Sequence, residues 1–342
     1  VRQTFLLLDK DGGALDIPAD TDWVFPDAGG NGYYRWQTSL AQLHNLVDDV
    51  DELTDREKIA VLGNSEALLI AGEISLADYM YVLDKLIKDP HPLVFLPTLE
   101  KLIDIGRLYV DAEYREAYAS FMERAVAGRF RQIGPDPRPD EGEAVAQMRP
   151  RLLRALGEFA ANELVLDSAA RLTDEYLTDP HAVPRGLARE AMRVTALHDD
   201  GSRYEQYIDA YLESGDETQK SNILGAIYFD NPDIVRKHLD FSISPAVAAG
   251  DAATGISFFG FVLEDQTILF EWLDENLDAF VAKLPAYYQP SLPEVLDTPC
   301  DAANLKLFQD FFEPRDEIYA GSLARVVEST ENCINQKKRY AA

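Results

Sequence analysis

From Ser39 to the C-terminal end, apolar residues recur at the three-and-four spacing of amphipathic helices, interrupted at short intervals by Gly, Pro, Asn or Asp. Thr54-Asp55-Arg56-Glu57 has the form of a capping box, in which a hydroxyl and a carboxylate three residues apart answer free backbone donors. It predicts a helix with Ile59, Leu62, Ala67 and Ile70 on its core face, stopping near Gly72. Ser75, with Asp78 three residues on, opens the next helix. Leu76, Tyr79, Leu83, Leu86 and Ile87 line its buried side, and Asp89-Pro90 ends it. The same grammar predicts helices over Pro92 to Leu108, Asp111 to Ile133, Glu143 to Ala161, Glu163 to Leu177, Pro184 to Leu197 and Ser202 to Glu213. Further ones follow over Asp216 to Tyr228, Pro232 to Phe241, Ala252 to Leu263, Gln266 to Leu284, Ala302 to Phe312 and Arg315 to Lys337.

Ahead of Ser39 the pattern is different. Thr4 to Leu8 and Ala14 to Ile17 are short apolar runs on either side of Asp11-Gly12-Gly13. Trp23 to Phe25 and Tyr33 to Trp36 flank Gly29-Gly30-Asn31-Gly32, in which Asn31-Gly32 tolerates the positive φ of a tight turn. These read as strands too few and too short for a core of their own, the end of a sheet that begins upstream. The expected architecture is therefore mostly α: a β remnant and junction over residues 1–37, then a helical domain over 38–342. Helix pairs at a spacing of roughly 35–45 residues suit a HEAT-like α-solenoid of antiparallel pairs. No motif repeats between pairs, so a plain multi-helix bundle stays open. Pro135, Pro137 and Pro139 make Gly134 to Gly142 an extended surface loop within one domain.

Composition narrows the function. An apolar fraction of 46% is enough to bury a full core, and 60 acidic against 32 basic residues give a net charge of −28. Such a surface repels phosphate backbones and anionic lipid, which argues against nucleic-acid and membrane partners. Cys300 and Cys333 are too few for a disulfide framework or a cysteine zinc site. No apolar run is long enough to span a bilayer, and Val1 to Asp9 lacks the form of a signal peptide. The compartment stays open. The first residue is not Met, and the chain is expected to be a fragment or a processed product.

Chemistry-bearing motifs are scarce. None of His44, His91, His181, His198 and His238 is followed by Glu, and no two lie four apart, so the His-Glu-x-x-His spacing of a zinc peptidase is missing. His198-Asp199-Asp200 reads as a helix-end loop. There is no Gly-x-Ser-x-Gly elbow, and the cysteines have no spaced His partner. The glycine-rich turn opens a β-prone run rather than a helix, so it is no phosphate cradle. No catalytic or metal-binding residue is assigned, and no cofactor is expected in this chain. Phe258, Phe259 and Phe261 are either core or apolar contacts for a peptide.

The junction WVFPDAGGNGYYRW resembles the point in aminopeptidase N-type zinc metallopeptidases where a small β-sandwich hands over to the C-terminal helical domain, the endoplasmic-reticulum aminopeptidase-like domain. Trp23 leads the motif and Gly32, Tyr33, Tyr34 and Arg35 match it, with Asp27 where the family commonly has Asn. Ala67 to Ser75 and FEWLDENLDAFV from Phe270 to Val281 resemble later family segments, with Leu277 in place of a frequent Trp. The resemblance runs from about Trp23 to the end and implies a domain that encloses the peptide-binding cavity of a zinc aminopeptidase. Zinc, the His-Glu-x-x-His motif and the Gly-x-Met-Glu-Asn motif would then belong to an upstream catalytic domain of the parent. The chain alone is expected to be inactive, partnered by its own upstream catalytic and β-sandwich domains and by peptide substrates. The resemblance places Arg107 where some peptide-trimming members carry a basic residue facing the cavity; an exposed arginine favoured by the helix dipole is the plainer alternative. Arg35 is expected to anchor the junction through hydrogen bonds. A different class of function, a free-standing α-solenoid scaffold for a partner protein, fits the helices but not strands that begin midway through a sheet.

Overall fold

A computed structural model describes residues 4, 12–257, 259–296 and 299–340, apart from the side chains at 261 and 316. The chain divides into two compact units, Val1–Asp104 and Ile105–Ala342.

The first unit holds α1 (Leu40–Asp48), α2 (Asp55–Ala71), α3 (Leu76–Leu86) and most of α4 (Pro92–Leu108). Their ends are fixed locally. Thr54 and Glu57 form the reciprocal capping box, as do Ser75 and Asp78. Gly72 closes α2 in the left-handed region with φ 78°. Tyr79, Val82, Leu83 and Leu86 are buried on α3, close to the expected stripe. The core face of α2 is rotated from the expected one. Val61, Leu62, Leu68 and Leu69 are buried, whereas Ile59 and Ile70 are 38% and 51% exposed. Apolar residues surround this helix, so its period alone does not select a face. Polar contacts do: Lys58 forms a buried ion pair with Asp89 at 2.6 Å, and Asn64 holds the main chain of Trp36.

Among the described residues no strand forms, and the expected β runs at Ala14 to Ile17, Trp23 to Phe25 and Tyr33 to Trp36 are irregular chain. Most of Thr4 to Leu8 lies outside the described residues. A strand needs a neighbouring backbone for its N–H and C=O groups. Here side chains take that part. The Trp36 N–H donates to Asn64 Oδ1 at 3.0 Å, and Asn64 Nδ2 donates back to the Trp36 carbonyl at 2.8 Å.

The second unit contains α5 (Arg115–Ile133), α6 (Glu143–Ala155), α7 (Glu163–Thr178), α8 (Arg185–Leu197), α9 (Tyr204–Glu213), α10 (Glu217–Leu224) and α11 (Pro232–Ser242). It continues with α12 (Ala249–Ser257), α13 (Phe259–Val262), α14 (Thr267–Lys283), α15 (Leu292–Leu296), α16 (Ala302–Phe312) and α17 (Asp316–Tyr340). Successive helices pack mainly on near neighbours: α7 and α6 on α8, α9 on α10, α11 on α12, α14 on α16, and α16 on α17. The proline loop is anchored from α6. Arg149, 1% exposed, donates from Nε to the Gly134 carbonyl at 2.9 Å and from Nη1 to Glu141 at 2.6 Å. Several boundaries differ from expectation: α5 starts at Arg115 rather than Asp111, the segment expected as one helix over Ala252 to Leu263 is divided between α12 and α13, and α15 matches no expected helix. The helix begun at Glu143 changes at Leu156 into a π turn (Leu156–Ala160), and α10 ends at Leu224 rather than Tyr228. The cysteines pair as a Cys300–Cys333 disulfide, which joins the start of α16 to α17.

Candidate functional site

The junction in the first unit is built by Asp27. Its Oδ1 accepts from the N–H groups of Asn31 at 3.1 Å and Gly32 at 2.7 Å, while the Gly30 N–H returns to the Asp27 carbonyl at 2.8 Å. Positive φ falls at Gly29 (83°) and Gly30 (60°), not at the expected Asn31-Gly32. Gly32 is needed for space: a Cβ there would stand 2.3 Å from the Tyr34 ring. Tyr34 donates to the Pro26 carbonyl at 2.7 Å, Trp23 Nε1 donates to Asp49, and Phe25 meets Trp36 edge to face at 5.6 Å. Tyr33 is fully exposed. Arg35 is exposed and has no hydrogen bond or ion pair among the described residues. The anchoring expected of it comes from Arg56, which donates to Asn31 Oδ1 at 2.6 Å, and from Glu57, which accepts the Gly29 N–H at 2.8 Å. Burial works against the Glu57 carboxylate, but the N–H groups of Gly29 and Thr54 and the Thr54 hydroxyl outweigh it, and its pKa lies below the ordinary value. The sequence showed Glu57 as a cap, not as a clamp on a loop 28 residues earlier.

In the second unit the structure surrounds Arg107 with partners. Gly106 leaves the space: a Cβ there would stand 2.5 Å from Phe159 and 2.8 Å from Tyr118. Phe159 belongs to the π turn, which turns Glu158 toward Arg107. Such turns are found disproportionately at functional sites. Arg107 donates to Glu158 from Nε at 2.6 Å and from Nη2 at 2.7 Å, a two-pronged pair. Arg154 reaches the same carboxylate at 3.3 Å. Burial opposes the charge on Arg107, yet Glu158 outweighs it and holds its pKa above the ordinary value. The turn is fixed from α8: His198 lies 2.8 Å from the Gly157 carbonyl, and Gly157 admits Val194 at a separation that any Cβ would block. After it, Ala161 adopts a left-handed φ of 46°, and Asn162 caps α7 while donating to Glu123 at 2.9 Å. A cleft of about 320 Å³ opens beside it, lined by residues including Phe130, Arg131, Leu156 and Asn162.

Neighbouring α8 adds more arginine. Arg193 donates from Nε to the Gly225 carbonyl at 2.9 Å, pairs with Glu190 at 3.2 Å and lies 4.9 Å over the Tyr228 ring. Arg189 lies against Gly225, where a Cβ would stand 2.4 Å from its Nη2. The end of α10 at Leu224 thus makes room for two guanidinium groups. The sequence signalled Arg107 but neither Arg189 nor Arg193, which look like ordinary polar positions of an amphipathic helix.

The aromatic candidates are not gathered here. Phe259 is 1% exposed and packs edge to face with His238, so its ring belongs to the core. Phe258 and the side chain of Phe261 lie outside the described residues. His238 is fully buried, and burial pushes its pKa down to about 3. Among the described residues no three His, Cys, Asp or Glu side chains come together to hold a metal ion, and no helix is long and apolar enough to cross a membrane.

A helical domain with a polar junction at its start and an arginine–glutamate cluster in its second unit is the setting in which the comparisons fall. The ERAP1-like C-terminal domain model matches residues 23–332, and the chain belongs to that family. It is similar to aminopeptidase M1-A of Oryza sativa subsp. japonica, 24% identical over 266 residues, covering 75% of this chain and 30% of that protein. Aminopeptidase M1-C of the same plant is 20% identical over the same shares. The chain spans about 30% of the length of these relatives.

Proposed function

We propose that this domain encloses the peptide-binding cavity of a zinc-dependent aminopeptidase and limits access to an active site carried upstream. The family match over residues 23–332 carries the reading, together with two aminopeptidase relatives that the chain covers only over about 30% of their length. Within it, residues 1–37 serve as the hand-over from a β-sandwich, and the helices of 38–342 form a HEAT-like array. A catalytic domain elsewhere in the parent protein would hold the zinc, and zinc there would supply an activated water for hydrolysis of the first peptide bond. The helical domain excludes folded proteins and admits free peptide ends. Arg107, positioned by Glu158, belongs to the wall of the cavity and orients the part of a long peptide beyond the scissile bond.

The test uses the full gene product containing this chain. It is expected to hold stoichiometric zinc and to hydrolyse aminoacyl reporters, activity that a chelator removes. In Arg107→Ala, the ratio of kcat/KM for a long peptide to kcat/KM for a single-residue reporter should fall. A gene product without zinc or aminopeptidase activity sinks the assignment; an unchanged ratio removes Arg107 from the cavity wall.

A further inference from the structure

Asn31-Gly32 is the only asparagine–glycine pair in the chain, and the junction places a chemically matched group on both of its reacting ends. The Gly32 N–H donates to Asp27 Oδ1 at 2.7 Å, so a carboxylate stands where the proton of that nitrogen would go. Arg56 donates from Nη1 to Asn31 Oδ1 at 2.6 Å. A guanidinium there draws electrons from the side-chain amide carbon and stabilises negative charge on its oxygen. Glycine carries no side chain to shield its nitrogen. Gly29 leaves room at the remaining reacting atom, because a Cβ there would stand 2.9 Å from Asn31 Nδ2. Asn31 is exposed to water, whereas Asp27 is buried. Asn64 is the contrasting case: it is buried, and both its side-chain oxygen and nitrogen are bound to the Trp36 main chain.

We propose that Asn31-Gly32 is a site of self-modification, at which the Gly32 main-chain nitrogen attacks the Asn31 side-chain amide carbon and converts the asparagine to aspartate or isoaspartate. The bond from Gly32 N to Asn31 Cγ forms as Asp27 takes the Gly32 proton and Arg56 steadies the oxyanion on Oδ1. The proton then goes to Nδ2, the Cγ–Nδ2 bond breaks, and ammonia leaves a five-membered succinimide. Water opens the ring. Opening at the side-chain carbonyl gives aspartate in an unchanged main chain, and opening at the main-chain carbonyl gives isoaspartate, with one more carbon in the main chain. No electrons are gained or lost, and water is the only co-reactant. Both products alter the clamp between the loop and the first turn of α2. The new carboxylate keeps Arg56 but stands beside the Asp27 carboxylate, and isoaspartate carries the Gly32 N–H away from Asp27. The junction therefore changes once, irreversibly, as the molecule ages. This inference rests on the geometry of the junction and not on the aminopeptidase reading.

The 342-residue chain is aged in warm heavy-oxygen water near neutral pH, folded and in urea, and its peptides are followed by mass spectrometry, with Asn64 as the internal control. Asn31 should convert about tenfold faster in the folded chain than in the unfolded one, taking up heavy oxygen and releasing ammonia in equal amount. Asp27→Asn keeps an acceptor for both N–H groups of the turn but takes no proton, and should bring the folded rate down to the unfolded one. Arg56→Gln should slow the folded chain in the same direction. Neither variant should alter the rate in urea, and thermal unfolding verifies the fold of each. Were these residues merely holding the turn, loosening it would leave the folded rate unchanged or raise it. The aged chain should melt at a lower temperature than the fresh one, a shift absent from Asn31→Gln. Conversion no faster in the folded chain than in urea, or a folded rate that Asp27→Asn does not lower, overturns the proposal.

Discussion

Glu57 shows how much one side chain can do at the residue scale. It completes the cap of α2 with Thr54 and also takes the Gly29 N–H of the junction. Its pKa is lowered in the folded chain, so it contributes stability that is present above the ordinary carboxyl value of 4.5 and lost as pH falls through the lower folded value. Glu57→Gln should therefore lower stability by about 1 kcal/mol near neutral pH and remove part of the loss seen in the wild type on acidification below 4.5. Denaturant midpoints at pH 7 and at acid pH decide it; an equal acid response in both proteins would show that Glu57 does not couple to the proton. Arg35 lacks such contacts, and the difference lies in position. Arg56 and Glu57 sit on the first turn of a rigid helix facing the loop, whereas Arg35 projects from irregular chain.

At the scale of elements, the irregular segments are held as firmly as the helices. The loop over residues 134–142 contains no regular structure, yet Arg149 of α6 ties both its ends through the Gly134 carbonyl and Glu141. Arg149 holds the Glu141 carboxyl below its usual range. Removing the arginine strands Glu141 and leaves a hole in a buried position. Arg149→Ala should cost about 3 kcal/mol, with the greatest loss of amide-exchange protection in α6 and the loop. Uniform protection across the second unit in the variant would refute the anchoring role. The π turn after α6 belongs to the same scale. Gly157 and Gly106 admit Val194 and Phe159 to separations that a methyl group would block, and the extra residue in the turn brings Glu158 to Arg107.

Over the whole molecule, a net charge of −28 adds self-repulsion that packing and a cross-link work against. The Cys300–Cys333 bridge closes a loop of 33 residues within the second unit. Such a loop restricts the unfolded chain by about 3–4 kcal/mol. Cys333→Ser should lower the unfolding free energy by about that amount, and a reductant should bring the wild type down to the variant. A wild type indifferent to reductant would mean that the bridge does not hold α16 to α17. In the same unit α17 returns to the segment after α4, with Lys337 on Asp111 at 2.5 Å and Tyr109 donating to Gln336 at 2.9 Å. The bridge therefore steadies a helix whose far end meets the chain just beyond Arg107.

By itself the sequence determined the helical character after Ser39, most helix limits, the two capping boxes and the stop at Gly72. These depend on residues within about four positions of one another, so local patterns record them. The junction was legible as a glycine-rich turn held by aromatic residues, and Arg107 as a charge near a helix end. The tertiary structure decided which face of α2 is buried, that the early β-prone runs stay irregular, and that Arg107 is paired with Glu158. It also brought Cys300 to Cys333. Asn64 meets Trp36 across 28 positions and Glu158 meets Arg107 across 51. No periodicity encodes such meetings, because which side chains become neighbours depends on how the helices pack, and the cost of leaving a buried charge or backbone donor unpaired then selects the partner.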